Sequence, residues 1–198
     1  MRRKLIIFFS SLYVGFMAVV AVYYYLLGSS FYGSVGLAGV LCGAVPLVTA
    51  GFTRLPFNLP IVVSYLIFLF GAQYLGSILN WYGLGWWDTF VHGISGAILA
   101  FCAIASCERL VHPGAGSRMS PLFVFLFTVS ITALGGVLWE IYEFSSDYLF
   151  GTTMQGPGGG NNEDTMTDLI ADVIGGLVIA LWNVLQTKRI NDKKRNDR

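Results

Sequence analysis

Apolar residues fill six blocks of this chain: Leu5 to Leu27, Val35 to Phe52, Ile61 to Leu79, Phe90 to Cys107, Pro121 to Trp139 and Thr165 to Leu185. A hydrocarbon core takes ~20 helical residues to cross, and each block is about that long. The pattern predicts an all-α fold: a polytopic membrane protein whose residues 1–187 form a single six-transmembrane-helix bundle, with a basic tail over residues 188–198. Composition agrees, since a chain of 198 residues that is 55% hydrophobic and only 12% charged is too apolar for an ordinary soluble domain. The first block follows Arg2, Arg3 and Lys4 as a signal peptide would. Its apolar run is long, however, and no small-x-small cleavage site follows, so it is read as an uncleaved first helix.

Charge orients the bundle. With a cytoplasmic N-terminus, the inner segments are the N-terminus, the Thr53 to Pro60 loop, the Glu108 to Ser120 loop and the tail after Gln186. They hold Arg2, Arg3, Lys4, Arg54, Arg109, Arg118, Lys188, Arg189, Lys193, Lys194, Arg195 and Arg198, which are all 12 Lys and Arg of the chain. The positive-inside rule then places both termini in the cytoplasm. Asp88, Glu140, Glu143, Asp147, Glu163, Asp164, Asp168 and Asp172 fall at or near the outer face. The tail is read as a topology determinant in contact with anionic lipid rather than nucleic acid.

Helical spacing then aligns the acids. Asp164, Asp168 and Asp172 follow one another at i, i+4 and i+8, with Gly175 or Gly176 continuing inward. Asp88 and His92 stand one turn apart, followed on that side by Ser95, Gly96 and Ala100. In the fifth block Glu140, Glu143 and Asp147 share a face, with Gly136 and Thr132 inward of them, and the third offers Gln73, Gly76, Ser77 and Asn80. Small residues let helices approach closely in lipid, so helices three to six are expected to converge with these stripes facing one another. An aspartate near the membrane interior costs roughly 2.5–3.5 kcal/mol even on lenient insertion scales, so Asp168 and Asp172 should face partners.

Carboxylates packed together without a cation repel, and no Lys or Arg stands on that side, so protons or a metal must supply the charge. Oxygen-rich sites with one histidine suit Mg²⁺, Mn²⁺, Ca²⁺ or Fe²⁺, with Zn²⁺ also open. The metal-ligand candidates are Asp88, His92, Asp168 and Asp172, with Glu140 or Glu143 as a general base. Plainer roles stay open beside these. Asp88 and Asp164 precede Thr89 and Thr165, where helix N-caps belong. Glu140, Glu143 and Asp147 would also fit the headgroup region, and His92 a hydrogen-bonded core position. Cys42, Cys102 and Cys107 form no C-x-x-C pair and read as small packing residues. Trp81, Tyr82, Trp86 and Trp87 read as an interfacial belt. The Gly-rich loop from Gly151 to Asn162 is a connector, a lid or a phosphate cradle.

Three functions fit this pattern: a metal-dependent site working on a lipid, lipid-linked or small extracytoplasmic substrate; a cation or proton-coupled transporter; and an accessory membrane protein. No Ser-His-Asp or Cys-His arrangement points to nucleophilic catalysis. The inner halves of helices four to six offer only scattered Thr128, Ser130 and Asn183, which favours a one-sided site over a transport route.

Three fragments carry a resemblance. They are the D-x-F-V-H of Asp88 to His92, the W-E-x-x-E of Trp139 to Glu143, and the Gly151-Thr152 and Gln155-Gly156 pairs before Asp164-Thr165 and Asp168. Together they resemble the YjdF-like family of bacterial inner-membrane proteins over roughly the second half of the chain. The resemblance implies a multi-helix membrane fold and gives weight to these positions, without implying a reaction. The chain departs from the family pattern in the stretch GPGGGNNE and in Gln73, where a histidine would be expected.

Overall fold

The computed structural model describes residues 2–52, 59–110, 119–156 and 162–196. Six helices among these are long and apolar enough to cross a membrane. In chain order they are α1 (Arg2–Leu26), α2 (Ser30–Phe52), α3 (Leu59–Leu69, continued by a π-helical stretch Phe70–Ile78), α4 (Trp87–Leu110), α5 (Pro121–Phe150) and α6 (Asn162–Asn196). Residues 157–161 of the Gly-rich loop, 53–58 of the loop carrying Arg54, and 111–118 of the loop carrying Arg118 lie outside the described residues.

Several helices run past the apolar blocks. α5 continues beyond Trp139 to Phe150 because Glu140, Glu143 and Ser146 find buried positions on its inner face. α6 begins at Asn162 and extends through the basic tail to Asn196. Asp88 and Asp164 therefore sit inside the first turns of α4 and α6. The N-cap role expected from Thr89 and Thr165 is overturned, since both helices start earlier, and the two acids instead face the positive end of a helix dipole.

The chain divides into two compact units, Met1–Val91 and His92–Arg198. In the first, Ile6, Tyr13 and Met17 of α1 pack with Ala50 of α2 and Val62, Leu66 and Leu69 of α3. α2 approaches α1 through Gly36, Gly39 and Gly43, where any Cβ would run into Ala21, Met17 or Tyr13. These glycines let the two helices pack by contact, which is what drives association when the surroundings are as apolar as the side chains. The Tyr13 hydroxyl donates to Gln73 Oε1 at 2.7 Å. Of the other polar residues of the third block, Ser77 bonds back to the Ala72 carbonyl, Gly76 lies under the Tyr82 ring, and Asn80 takes a left-handed φ of 57°. Trp87 is buried, stacks edge-on against Trp81 at 4.7 Å and donates to the Gly71 carbonyl, so it is a packing residue of this unit.

In the second unit each helix buries one stripe at four-residue spacing. His92, Gly96, Ala100 and Ile104 lie inward on α4, Thr128, Thr132, Gly136 and Glu140 on α5, and Asp168, Asp172, Gly176 and Ala180 on α6. A Cβ at Gly96 would strike the Asp172 backbone, one at Gly175 the Gly93 carbonyl, and one at Gly176 the Thr132 side chain. Leu122, Phe123, Leu126, Ile141, Ile170, Ile174 and Val178 are exposed on the outside of the same helices. Polar and small residues inside with large apolar ones outside is the arrangement that suits hydrocarbon as the solvent. The chain is a multi-pass membrane protein.

Candidate functional site

The three stripes bring their charged ends together at one end of the second unit. α4 and α6 start at this end and α5 finishes there, so alternating helix direction collects His92, Glu140, Asp168 and Asp172. At 1.5 Å rise per residue, Asp172 lies about 15 Å beyond the start of α6, deeper than a helix beginning at Thr165 would place it.

His92 is the centre of the cluster. Its Nδ1 lies 2.9 Å from Asp172 Oδ2. An ionised carboxylate only accepts, so against one Nδ1 carries a proton, and in the neutral form of the ring Nε2 then holds the lone pair. Asp172 is itself oriented by the Ser95 hydroxyl, which donates to Oδ1 at 2.5 Å. The other ring nitrogen, Nε2, lies 4.0 Å from Glu140 Oε1 and 4.0 Å from Asp168 Oδ2. Those separations are beyond hydrogen-bonding range. His92, Glu140, Asp168 and Asp172 are between 1% and 6% exposed. Glu140 Oε1 has no hydrogen-bond partner among the described residues although it is buried. A buried oxygen without a donor is costly, and a cation is one group that would satisfy it.

Asp88 stands one turn before His92 on the same helix. Within the second unit His92 and Asp168 each offer one ligand atom, 4.0 Å apart. No Lys or Arg occurs on α4 between Trp87 and Cys107, on α5, or on α6 before Lys188. The arrangement can hold a divalent cation: one neutral imidazole and several carboxylates are a mixed donor set for hard or borderline ions.

The remaining acids are used differently. Glu143 is buried, and its Oε1 accepts from Trp139 Nε1 at 2.7 Å one turn back on α5. Asp147, expected on the same face as Glu140 and Glu143, turns to the loop after α5. Its carboxylate accepts from the Thr152 hydroxyl at 2.5 Å and from the backbone N–H groups of Met154 and Gln155 at 2.7 and 2.9 Å. Cys42 and Cys102 are half-buried and Cys107 is buried, none of them in a disulfide among the described residues. Ser95 is the residue whose part the helical pattern alone did not reveal. Its place among small residues suggested packing, whereas its hydroxyl shares its one proton between the His92 carbonyl at 2.8 Å and Asp172 Oδ1 at 2.5 Å.

No curated protein and no solved structure shows significant similarity to the chain. Residues 7–189, nearly the whole chain, match the family described as "Predicted membrane protein (DUF2238)", of which YjdF is a member. The motifs of the second half, the helical fold and this match agree: the chain belongs to the DUF2238 family of membrane proteins.

Proposed function

We propose that the second unit holds a divalent cation at His92 and Asp168, with Glu140 beside them, and that this site works on a lipid or other extracytoplasmic substrate. The observation that carries the reading is the state of His92: one nitrogen is committed to Asp172, and the other is aimed between two buried carboxylates with no basic side chain on these stripes. Atoms bound to one ion at about 2.0–2.2 Å lie roughly 3–3.5 Å apart, so a small contraction of the cluster would close it around a metal. Such an ion would supply Lewis-acid chemistry toward a carbonyl or phosphoryl oxygen, and Glu140 would be the proton acceptor beside it. Asp172 orients the imidazole, as carboxylates behind ligating histidines do.

Purified protein is expected to carry or bind one divalent ion, with affinity lost in His92→Ala and Asp168→Asn and lowered roughly 10- to 100-fold in Asp172→Asn. Elemental analysis and metal titration in detergent measure this. Absence of metal together with a melting temperature indifferent to divalent ions would overturn the reading. The positive-inside distribution supports an extracytoplasmic mouth and cytoplasmic termini. Impermeant thiol labelling from outside should then reach a cysteine at Asn162 and spare one at Lys193.

A second reading, cation transport, is favoured by what lies beyond the site. The α5 stripe continues from Gly136 through buried Thr132 and Thr128. One turn further, Val124 lines a cavity of about 160 Å³ with Ile104, Cys107, Met119, Asn183 and Thr187. Cation flux in liposomes that is abolished by Asp172→Asn would select this reading over turnover of a substrate.

A further inference from the structure

Phe9, Leu12 and Phe16 of α1 and Val63, Ile67 and Phe70 of α3 line a cleft of about 500 Å³ in the first unit. Its place follows from what holds these helices. At one end large rings meet, Phe16 lying 5.9 Å from Phe70 and 4.9 Å from Tyr74 between centroids. Rings at a helix crossing keep the axes apart, because interaxial distance follows the side chains at the contact. α1 is meanwhile drawn onto α2 through Gly36, Gly39 and Gly43. On the N-terminal side of the ring bridge α1 and α3 are thus left splayed, with Leu12 61% and Ile67 66% exposed.

The cleft offers no partner to a polar ligand. Its inner wall is Tyr13 and Leu66, both buried, and the Tyr13 hydroxyl, the one polar side-chain group of the lining, is spent on Gln73 Oε1 at 2.7 Å. Hydrocarbon fits such a surface, and the hydrocarbon around two membrane spans is acyl chain. Depth selects one leaflet. From Leu5 to the bridge at Phe16 is about 16 Å at 1.5 Å rise per residue, half of a ~30 Å hydrocarbon core. A helix from a second copy, ~10–12 Å across, would need roughly 1,000 Å³ over the same lining, about twice the room. The mouth carries charge: α1 opens with Arg2, Arg3 and Lys4, and Arg3 and Lys4 are exposed on its first turn. The helix dipole adds positive charge there, so an anionic headgroup is the complement. We propose that this cleft binds one anionic phospholipid of the leaflet on the side of the α1 N-terminus, with an acyl chain laid along Leu12 and Ile67 up to the Phe16–Phe70 bridge and the phosphate beside Arg3 and Lys4. Its residues all belong to the first unit, so it stands independently of the metal site.

Native mass spectrometry of the full chain released from detergent, titrated with dioleoylphosphatidylglycerol or dioleoylphosphatidylcholine, counts bound lipids and copies of the chain together. Wild type is expected to retain one phosphatidylglycerol per chain, more tightly than phosphatidylcholine. Arg3→Gln and Lys4→Gln should each weaken phosphatidylglycerol about fivefold and leave phosphatidylcholine unchanged, the factor a basic residue contributes near an anionic surface. Ile67→Trp fills the cleft and should abolish retention, whereas Val19→Trp, at an equally exposed position of α1 outside the cleft, should keep it. Wild type that retains neither lipid, or both equally, overturns the proposal. So does Ile67→Trp that holds phosphatidylglycerol as well as Val19→Trp does. A dimer that Ile67→Trp converts to monomer overturns it too, by giving the cleft to a second copy. If Ile67→Trp fails to fold, the rise in melting temperature on adding phosphatidylglycerol carries the test: it should be present in wild type and absent in Leu12→Phe, and an equal rise in both overturns the site.

Discussion

Replacing Gly96 by alanine tests how the site is assembled, because the added methyl group acts on the contact between α4 and α6. The new Cβ would run into the Asp172 carbonyl oxygen and stand 2.8 Å from the Asp172 Cα, both backbone atoms. No rotamer change relieves such a contact, so the helices must separate. Overpacking of this kind costs about 1–3 kcal/mol. Separation also pulls Asp172 from Ser95 and His92, now at 2.5 and 2.9 Å, and hydrogen bonds to a charged group contribute about 1.5–3 kcal/mol each. Against this stands a gain of about 1 kcal/mol from replacing glycine in a helix. If both bonds are lost, the net is a destabilisation of about 3 kcal/mol or more. At roughly 2–4 °C per kcal/mol for a chain of this size, the melting temperature in detergent should fall by about 6–12 °C or more. Gly15→Ala in α1 is the matched control. A Cβ there meets nothing within 4 Å, so the same substitution should hold or raise the melting temperature. A Gly96→Ala protein that melts with or above wild type, with its His92 ring signals unchanged by NMR, would refute the close approach of the two helices and the site geometry built on it.

Tyr13→Phe removes the donor to half-buried Gln73 Oε1 and should destabilise the first unit by about 0.5–1.5 kcal/mol, measured by denaturant or thermal unfolding. Ser120→Ala removes the side-chain acceptor for the Phe123 N–H at the start of α5 and should cost about 0.5–2 kcal/mol by the same assay, without altering metal affinity.

Periodicity made the charged stripes legible. Asp168 and Asp172 could not face lipid, and the four-residue spacing said which small residues shared their face; the buried set on α6 follows from that reasoning. The same spacing could not say how the acids divide their work. Asp147 and Glu140 stand on similar faces of one helix, yet one caps a loop and the other lies beside His92, because the left-handed turn at Gly151 returns the chain over Asp147. Which nitrogen of His92 meets Asp172 depends on the rotation of α4 against α6, a tertiary quantity. The α2 glycines were visible but read only as part of an apolar block, since their meaning depends on Tyr13, Met17 and Ala21 arriving opposite them. The π-helical stretch at Phe70–Ile78 was not legible either: its wider hydrogen-bond pattern is chosen by packing, and no local residue demands it.

The burial of Asp168 and Asp172 also bears on how the protein is made. Each carboxylate would cost roughly 2.5–3.5 kcal/mol if left against lipid, and both lie on α6, which is synthesised after α4 and α5. His92, Ser95 and Gly136, which receive them, belong to α4 and α5 and leave the ribosome first. When α6 enters the bilayer its acids have a prepared place to go. A rearranged gene that encoded α6 ahead of α4 would ask the membrane to hold two carboxylates with nothing to meet them, so chain order is itself part of what allows a helix this polar to be inserted.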